Sequence, residues 1–298
     1  MIENTGYDKK DLPNPVIRLG LACNEKCIFC NVPPESREIS GEEYARRQII
    51  SAHPGSCVSF SGGEPTLYSF LPRLIEFAVD RGIVPELQTN AVLLSDSEYV
   101  RKLADAGLKM AFVSLHSHIA GIHDFLTGVK GSWEKGICGI HNLLESGIHV
   151  SINAVISSVN YAHISDFVLF LSRRLGVRQL SLSVVQPRGR AWSNKAIVPD
   201  YSLLDKPVRN ALKTADNEHL MIINPICGLP MCIGGWNEYR KLCTEYVQGC
   251  AGKKFCAGKI HAPKCKDCMA RKYCAGVWQE YYDLKGDSAL KPFNETPG

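Results

Sequence analysis

Six short β-rich runs alternate with amphipathic segments over the first two thirds of the chain, and this alternation restricts the fold more than any other feature. The runs are VIRLGLA (16–22), CVSFS (57–61), VPELQTN (84–90), KMAFVSL (109–115), HVSINAVI (149–156) and QLSLSVV (179–185). Between them, GEEYARRQIISA, LPRLIEFAVDRG, DSEYVRKLADAG, SWEKGICGIHNLLESG and ISDFVLFLSRRLG carry apolar residues at helical spacing. Ser40 with Glu43, and Ser95 with Glu98, match the S-x-x-E capping box and predict helix starts. Gly82, Gly107, Gly147 and Gly176 fall where helices should stop. Such alternation implies parallel strands joined by right-handed crossovers. Six units are too few for a closed eight-stranded barrel, which leaves an open partial barrel or a doubly wound sheet. In either, ligands belong at the C-terminal ends of the strands.

The alternation ends near 187–218, where PRGRAWSNKAIVPDYSLLDKP interrupts it with prolines and polar residues. The expected organisation is an α/β unit over 14–190, a linker region over 191–218 and a small cysteine-rich unit over 219–298. At 298 residues the chain is long enough for one large domain and an appendage. A formal net charge of +4 is too small to argue for nucleic acid. The N-terminal stretch is polar, no apolar run could span a bilayer, and a cytoplasmic, reducing compartment is the expectation. Thirteen cysteines are many for such a compartment, so clustered thiols point to metal or chemistry rather than disulfides. Cys23, Cys27 and Cys30 come early, eight lie between Cys227 and Cys274, and Cys57 and Cys138 are read as buried apolar thiols. His116, His118 and His123 are read as surface-loop residues.

The stretch LACNEKCIFCN (21–31) places three thiols within eight residues and follows the first β-run. A 4Fe–4S cluster held by four cysteines has no vacant iron, whereas three leave one iron open. Zinc with three protein ligands and a water is the competing reading, and spacing alone does not decide. Gly62-Gly63-Glu64-Pro65 follows the second run and Gln88-Thr89-Asn90-Ala91 the third, so all three motifs should meet on one rim.

Together these motifs resemble the radical S-adenosylmethionine (radical SAM) superfamily. Cys23-x-x-x-Cys27-x-x-Cys30, with Phe29 before the last cysteine, is similar to its cluster signature; Gly62 to Pro65 is similar to its GGEP element. Residues 88–91 are similar to its QTNG element, with Ala91 in place of the glycine. The resemblance covers roughly 15–190 and implies a partial (βα)6 TIM-like barrel. It also implies a 4Fe–4S cluster on Cys23, Cys27 and Cys30, whose open iron chelates S-adenosylmethionine, and reductive cleavage to a 5′-deoxyadenosyl radical. On the same basis Phe29 offers a face to the adenine. Gly62 and Gly63 admit the ammonium, with Glu64 as countercharge beside Pro65. Thr89, Asn90, Ser114 and Asn153 are polar contacts for ribose and carboxylate. A flavodoxin or ferredoxin is the implied electron donor.

The array Cys265-x-x-Cys268-x5-Cys274 is similar to SPASM/twitch extensions, which hold auxiliary 4Fe–4S clusters. No cysteine follows Cys274 and the usual C-x-x-x-C pair is missing, so one auxiliary cluster is expected, with Cys232 as fourth ligand and Cys227 as its alternative. Cys250 is the candidate hydrogen-atom donor. Lys253, Lys254, Lys259, Lys264, Lys266, Arg271 and Lys272 are read as balancing cluster charge. The expected substrate is a peptide or peptide-like natural product. One alternative is epimerisation or dehydrogenation of a sugar or aminoglycoside; another is a non-enzymatic zinc-ribbon protein.

Overall fold

Seven parallel strands lie side by side in the order in which the chain makes them. The structure is a computed structural model that describes residues 15–31, 40–249 and 256–293. It runs through β1 (Val16–Arg18), α1 (Glu42–Ser51), β2 (Cys57–Ser61), α2 (Leu71–Val79), β3 (Val84–Thr89), α3 (Ser97–Asp105) and β4 (Met110–Ser114). Two helices follow, α4 (Ala120–Thr127) and α5 (Ser132–Glu145), before β5 (His149–Ile156), α6 (Ile164–Arg173) and β6 (Gln179–Val184). Then come a short turn α7 (Arg190–Ser193), the long helix α8 (Tyr201–Asn217) and β7 (Met221–Ile223). The C-terminal part holds α9 (Thr244–Gln248), an antiparallel pair β8 (Lys259–Ile260) and β9 (Val277–Trp278), and α10 (Gln279–Lys285).

A doubly wound sheet would reverse its strand order; this one runs β1 to β7 without reversal, with β1 and β7 at its edges. It is therefore the open partial barrel, an α/β fold with a cysteine-rich C-terminal region. Its core is continuous, with Leu, Ile and Val from every strand buried against the helices. Among the described residues no helix is long and apolar enough to cross a membrane.

Three expectations change. The stretch 191–218, read as a linker, contains α8, which buries Tyr201, Leu204, Val208, Ala211, Leu212 and Ala215 on one face. Pro207 lies inside this helix and hides the periodicity. Residues 221–223, assigned to the C-terminal unit, form β7 and pair with β6, so the sheet continues past 190 and past 219. The capping boxes are also out of place. α1 begins after Gly41 with no side-chain cap, and α3 is capped by Asp96, which accepts from the Glu98 N–H at 3.0 Å.

Gly139 shows how closely the elements pack. A Cβ there would lie 2.3 Å from the Ala91 carbonyl oxygen and 3.1 Å from the Leu94 Cβ, so α5 rests directly on the turn that follows β3. Gly139→Ala gains helix propensity but forces these backbones apart. A net loss of about 1–3 kcal/mol is expected, read as a lower urea midpoint at unchanged slope.

Candidate active site

Because side chains alternate along a strand, residues two apart face the same way. Gln88 in β3 with Asn90 just after it, Phe112 and Ser114 in β4 with His116 just after it, Asn153 and Val155 in β5, and Ser183 in β6 with Val185 just after it all line one cavity of about 360 Å³. In the sheet, Ser114 stands directly opposite Asn153. Cys23, Cys27, Cys30 and Phe29 line the same cavity from the loop after β1, and Gly62, Gly63 and Glu64 from the turn after β2. The residues expected on one rim are thus together, except that Pro65 is buried behind it and does not line the cavity.

The cysteine loop is held on three sides. The Lys26 and Ile28 N–H groups donate to the Thr127 and Leu126 carbonyls at the end of α4, at 2.8 and 2.9 Å. On the opposite side the Arg190 N–H donates to the Cys30 carbonyl at 2.9 Å and its guanidinium to the Cys27 carbonyl at 3.3 Å. From below, the Gly63 and Glu64 N–H groups donate to the Gly20 and Ala22 carbonyls, each at 2.8 Å. This last contact explains the glycines: a Cβ on Gly62 would sit 2.3 Å from the Gly20 oxygen, and one on Gly63 would sit 2.2 Å from the Ala22 oxygen. The requirement comes from the protein's own backbone, before any ligand is considered.

Glu64 also departs from expectation. Its carboxylate is buried and accepts four hydrogen bonds, from the Thr66 N–H (3.1 Å) and hydroxyl (2.6 Å), the Thr89 hydroxyl (2.7 Å) and the Asn90 N–H (2.8 Å). Burial pushes its pKa up against the pull of these donors. It acts as a strut between the GGEP turn and the end of β3 rather than as a free countercharge. Ala91, which replaces the glycine of the resembled motif, holds φ at +60°, a left-handed conformation that costs a non-glycine residue about 1–2 kcal/mol.

The three loop thiols share the cavity wall. Among the described residues no three or more His, Cys, Asp or Glu side chains are drawn together as a single-ion site. Burial raises the pKa of Cys27 well above the usual thiol value and that of Cys23 less so, so a metal would have to displace their protons. Between them Glu25 is buried, accepts from the Cys27 thiol at 3.4 Å and has its carboxyl pushed up to about 7 by desolvation.

The C-terminal thiols form a second group. Cys232, Cys265, Cys268 and Cys274 line one small pocket with His261 and Arg271. The Phe293 and Gly276 N–H groups donate to the sulfurs of Cys268 and Cys274, both at 3.4 Å. Burial raises Cys232 to about 12 and Cys274 to about 11. By donor type, this four-thiol set suits a cluster with no open iron. Cys227, the alternative to Cys232, is not part of it and lines the first cavity instead. Cys243 is buried apart from both, accepting from the Asn224 amide at 3.6 Å. Cys250, Lys253 and Lys254 lie outside the described residues. Lys259 is paired with buried Glu245, so its charge is matched by a carboxylate. Cys57 is half-buried and Cys138 exposed, against the expectation that both are buried.

Sequence reasoning missed Arg190, Gln186, Ser183 and His116 as cavity residues. The first three follow or end the sixth β-run, and position after a strand was the signal available for them. His116 and His123 were read as surface residues and are in fact buried. The Val155 N–H donates to His116 Nδ1 (3.3 Å), the His116 N–H to His123 Nδ1 (3.2 Å), and the His116 ring meets Phe29 edge-on at 5.0 Å. Burial lowers both pKa values, that of His123 to about 4 and that of His116 well below the usual range. Both rings are neutral when folded but protonate near 6.5 when unfolded, so their contribution is present above that pH and is lost as pH falls. Stability of the apoprotein should therefore drop by about 1.4 kcal/mol per pH unit for each ring between about 6.5 and 4. Urea midpoints measured across that window should show the drop, and His123→Asn should make it shallower.

Residues 17–171, just over half of the chain, match the family model described as the Radical SAM superfamily. The Fe-coproporphyrin III synthase of Methanosarcina barkeri is 31% identical over 159 residues, covering 52% of this chain and 39% of that protein. The PqqA peptide cyclase of Rhodopseudomonas palustris is 29% identical over 254 residues, covering 80% of this chain and 67% of the relative. Among solved structures, native anSMEcpe with bound AdoMet and Kp18Cys peptide superposes with a TM-score of 0.61 at 16% identity, covering 94% of each chain. At that identity the likeness speaks for the fold. The non-enzymatic zinc-ribbon alternative gives way, because the matched relatives are enzymes, and the chain belongs to the radical SAM superfamily.

Proposed function

We propose that this chain modifies a peptide or peptide-like substrate by radical chemistry. The observation that carries the reading is the single cavity in which three thiols from one loop face the ends of β2 to β6. Cys23, Cys27 and Cys30 would hold a 4Fe–4S cluster with one iron open to S-adenosylmethionine, a donor set that matches the family's requirement. When bound, the reduced cluster and S-adenosylmethionine supply a 5′-deoxyadenosyl radical, which takes a hydrogen atom from the substrate.

The chain's own residues bind and orient. Phe29, fixed by His116, offers an aromatic face for the adenine. Gly62 and Gly63 present backbone to the amino group, while Thr89, Asn90, Ser114 and Asn153 supply hydrogen-bonding groups for ribose and carboxylate. Cys232, Cys265, Cys268 and Cys274 would hold one auxiliary 4Fe–4S cluster in the C-terminal region, and the N–H groups aimed at two of these sulfurs would tune its potential. A low-potential flavodoxin or ferredoxin is the proposed electron donor. The peptide substrate draws support from the PqqA peptide cyclase relative, which covers most of this chain, and from the peptide-bound anSMEcpe.

Anaerobic reconstitution with iron and sulfide tests the assignment. The wild type should bind about eight irons, and the Cys23→Ala/Cys27→Ala/Cys30→Ala variant about four, with loss of 5′-deoxyadenosine formation. Stoichiometric zinc without iron, or loss of all iron from the triple variant, would sink the division of cysteines. For the substrate class, a peptide library should raise 5′-deoxyadenosine formation above the substrate-free rate, whereas stimulation by a porphyrin alone would point elsewhere.

A further inference from the structure

Cys227 is not accounted for by either group of cluster thiols. It follows β7 in the chain, yet it lines the cavity shared by Cys23, Cys27 and Cys30. Its sulfur meets a side chain of β6, and that side chain is itself held from β5. Ser183 on β6 donates its hydroxyl proton to Asn153 Oδ1 on β5 at 2.9 Å, which commits the only proton that hydroxyl has. The 3.2 Å contact between Ser183 Oγ and Cys227 Sγ therefore has the thiol as donor. The turn that carries it is fixed. Asn224 closes it with a pair of hydrogen bonds to the Leu229 backbone, at 2.9 and 3.0 Å, and the Cys227 carbonyl accepts from the Val184 N–H at 3.0 Å. Only glycine fits at 228, since a Cβ there would fall 1.9 Å from Asn224 Oδ1.

A separate observation marks the cavity as a place for a polar ligand. Glu25, only 5% exposed, lines it, and among the described residues its Oε1 has no hydrogen-bond partner. The space into which the Cys227 thiol projects is thus equipped to bind.

We propose that Cys227 is the hydrogen-atom donor of this active site, returning a hydrogen to a carbon radical of the bound substrate. The inference rests on the radical SAM reading above and deepens it, because it makes the overall change to the substrate redox-neutral, such as inversion of a stereocentre. The S–H bond of Cys227 breaks, a C–H bond forms, and the sulfur is left as a thiyl radical. One electron from a flavodoxin- or ferredoxin-class reductant and one proton from solvent restore the thiol. An S–H bond is weaker than an unactivated C–H bond, so transfer to such a carbon radical runs downhill; a serine O–H is stronger and cannot replace it. Cys250, the other candidate donor, lies outside the described residues, and the thiol to which the geometry points is Cys227.

Two measurements on the cluster-loaded protein test this without a known substrate. In the first, iodoacetamide labels thiols anaerobically with and without S-adenosylhomocysteine. Labelling of Cys227 should be suppressed by the nucleoside, while labelling of the exposed Cys138 on α5 should not change. Equal labelling of Cys227 in both conditions overturns its placement. In the second, S-adenosylmethionine is turned over in deuterated, thiol-free buffer with titanium(III) citrate as reductant. The 5′-deoxyadenosine formed should carry deuterium, because the Cys227 S–D supplies an exchangeable hydrogen that the radical can take. Cys227→Ser and Cys227→Ala should each lose most of that deuterium per molecule formed, and Cys138→Ala should keep it. Retention of the full deuterium content in both Cys227 variants, or its absence from the wild type, overturns the donor. If the wild type forms no 5′-deoxyadenosine at all, the function reading falls, and the donor falls with it.

Discussion

The buried carboxylate of Glu64 joins three chain segments that would otherwise have no reason to meet. An ionised carboxylate taken out of water costs several kcal/mol unless donors surround it. Here four donors do so, two from its own turn and two from the end of β3. The next residue of that strand end extends the connection, since the Asn90 side chain donates to Asn24 Oδ1 in the cysteine loop at 2.7 Å. The N–H of Glu64 itself is bonded to the Ala22 carbonyl. One residue thus fixes the GGEP turn, the QTNA turn and the start of the cysteine loop relative to one another. The Thr89 hydroxyl is drawn into the same knot, and the chain must be glycine at 62 and 63 for the backbones to approach so closely.

The C-terminal region is secured to the barrel by different means. Arg188, just after β6, makes a two-pronged ion pair with Glu280 on α10, at 2.6 and 2.8 Å, and also packs over the Trp278 ring. Tyr201 at the start of α8 stacks on Tyr281 with ring centroids 3.6 Å apart, and its N–H donates to the Tyr281 hydroxyl. Ile226, next to Cys227, packs against Cys256 and Ala275. The two thiol groups are therefore mechanically connected although they serve separate pockets. The wall of the barrel cavity is partly set by the segment that also leads into the cysteine-rich region.

The strands and most helices were legible because their burial is local in origin. β2 and β5 match their runs residue for residue, β1, β3, β4 and β6 differ by a few residues at the ends, and the short β7, β8 and β9 had no run to announce them. What failed was whatever depended on the far side of a contact. α8 was hidden by Pro207, which its packing against α6 tolerates. α4 was taken for a loop, although its C-terminal carbonyls are what hold the cysteine loop. His116 and His123 looked like surface polar residues because nothing in their neighbours along the chain reveals that the rings are enclosed.

The sequence by itself determined the alternation of strands and helices, the rim on which three motifs meet, and the incomplete thiol set that marks the family. These follow from periodicity and from motifs a few residues long, where chain distance and spatial distance nearly coincide. The roles of the later cysteines were decided only by the tertiary structure. Cys227 and Cys232 are five residues apart, yet one lines the barrel cavity and the other the C-terminal pocket. The cause is β7: by pairing with β6 it delivers Cys227 beside Ser183, and the turn closed by Asn224 then sends the chain away from the barrel. Strand order and a side-chain hydrogen bond set that division, and neither is written in the spacing of the cysteines.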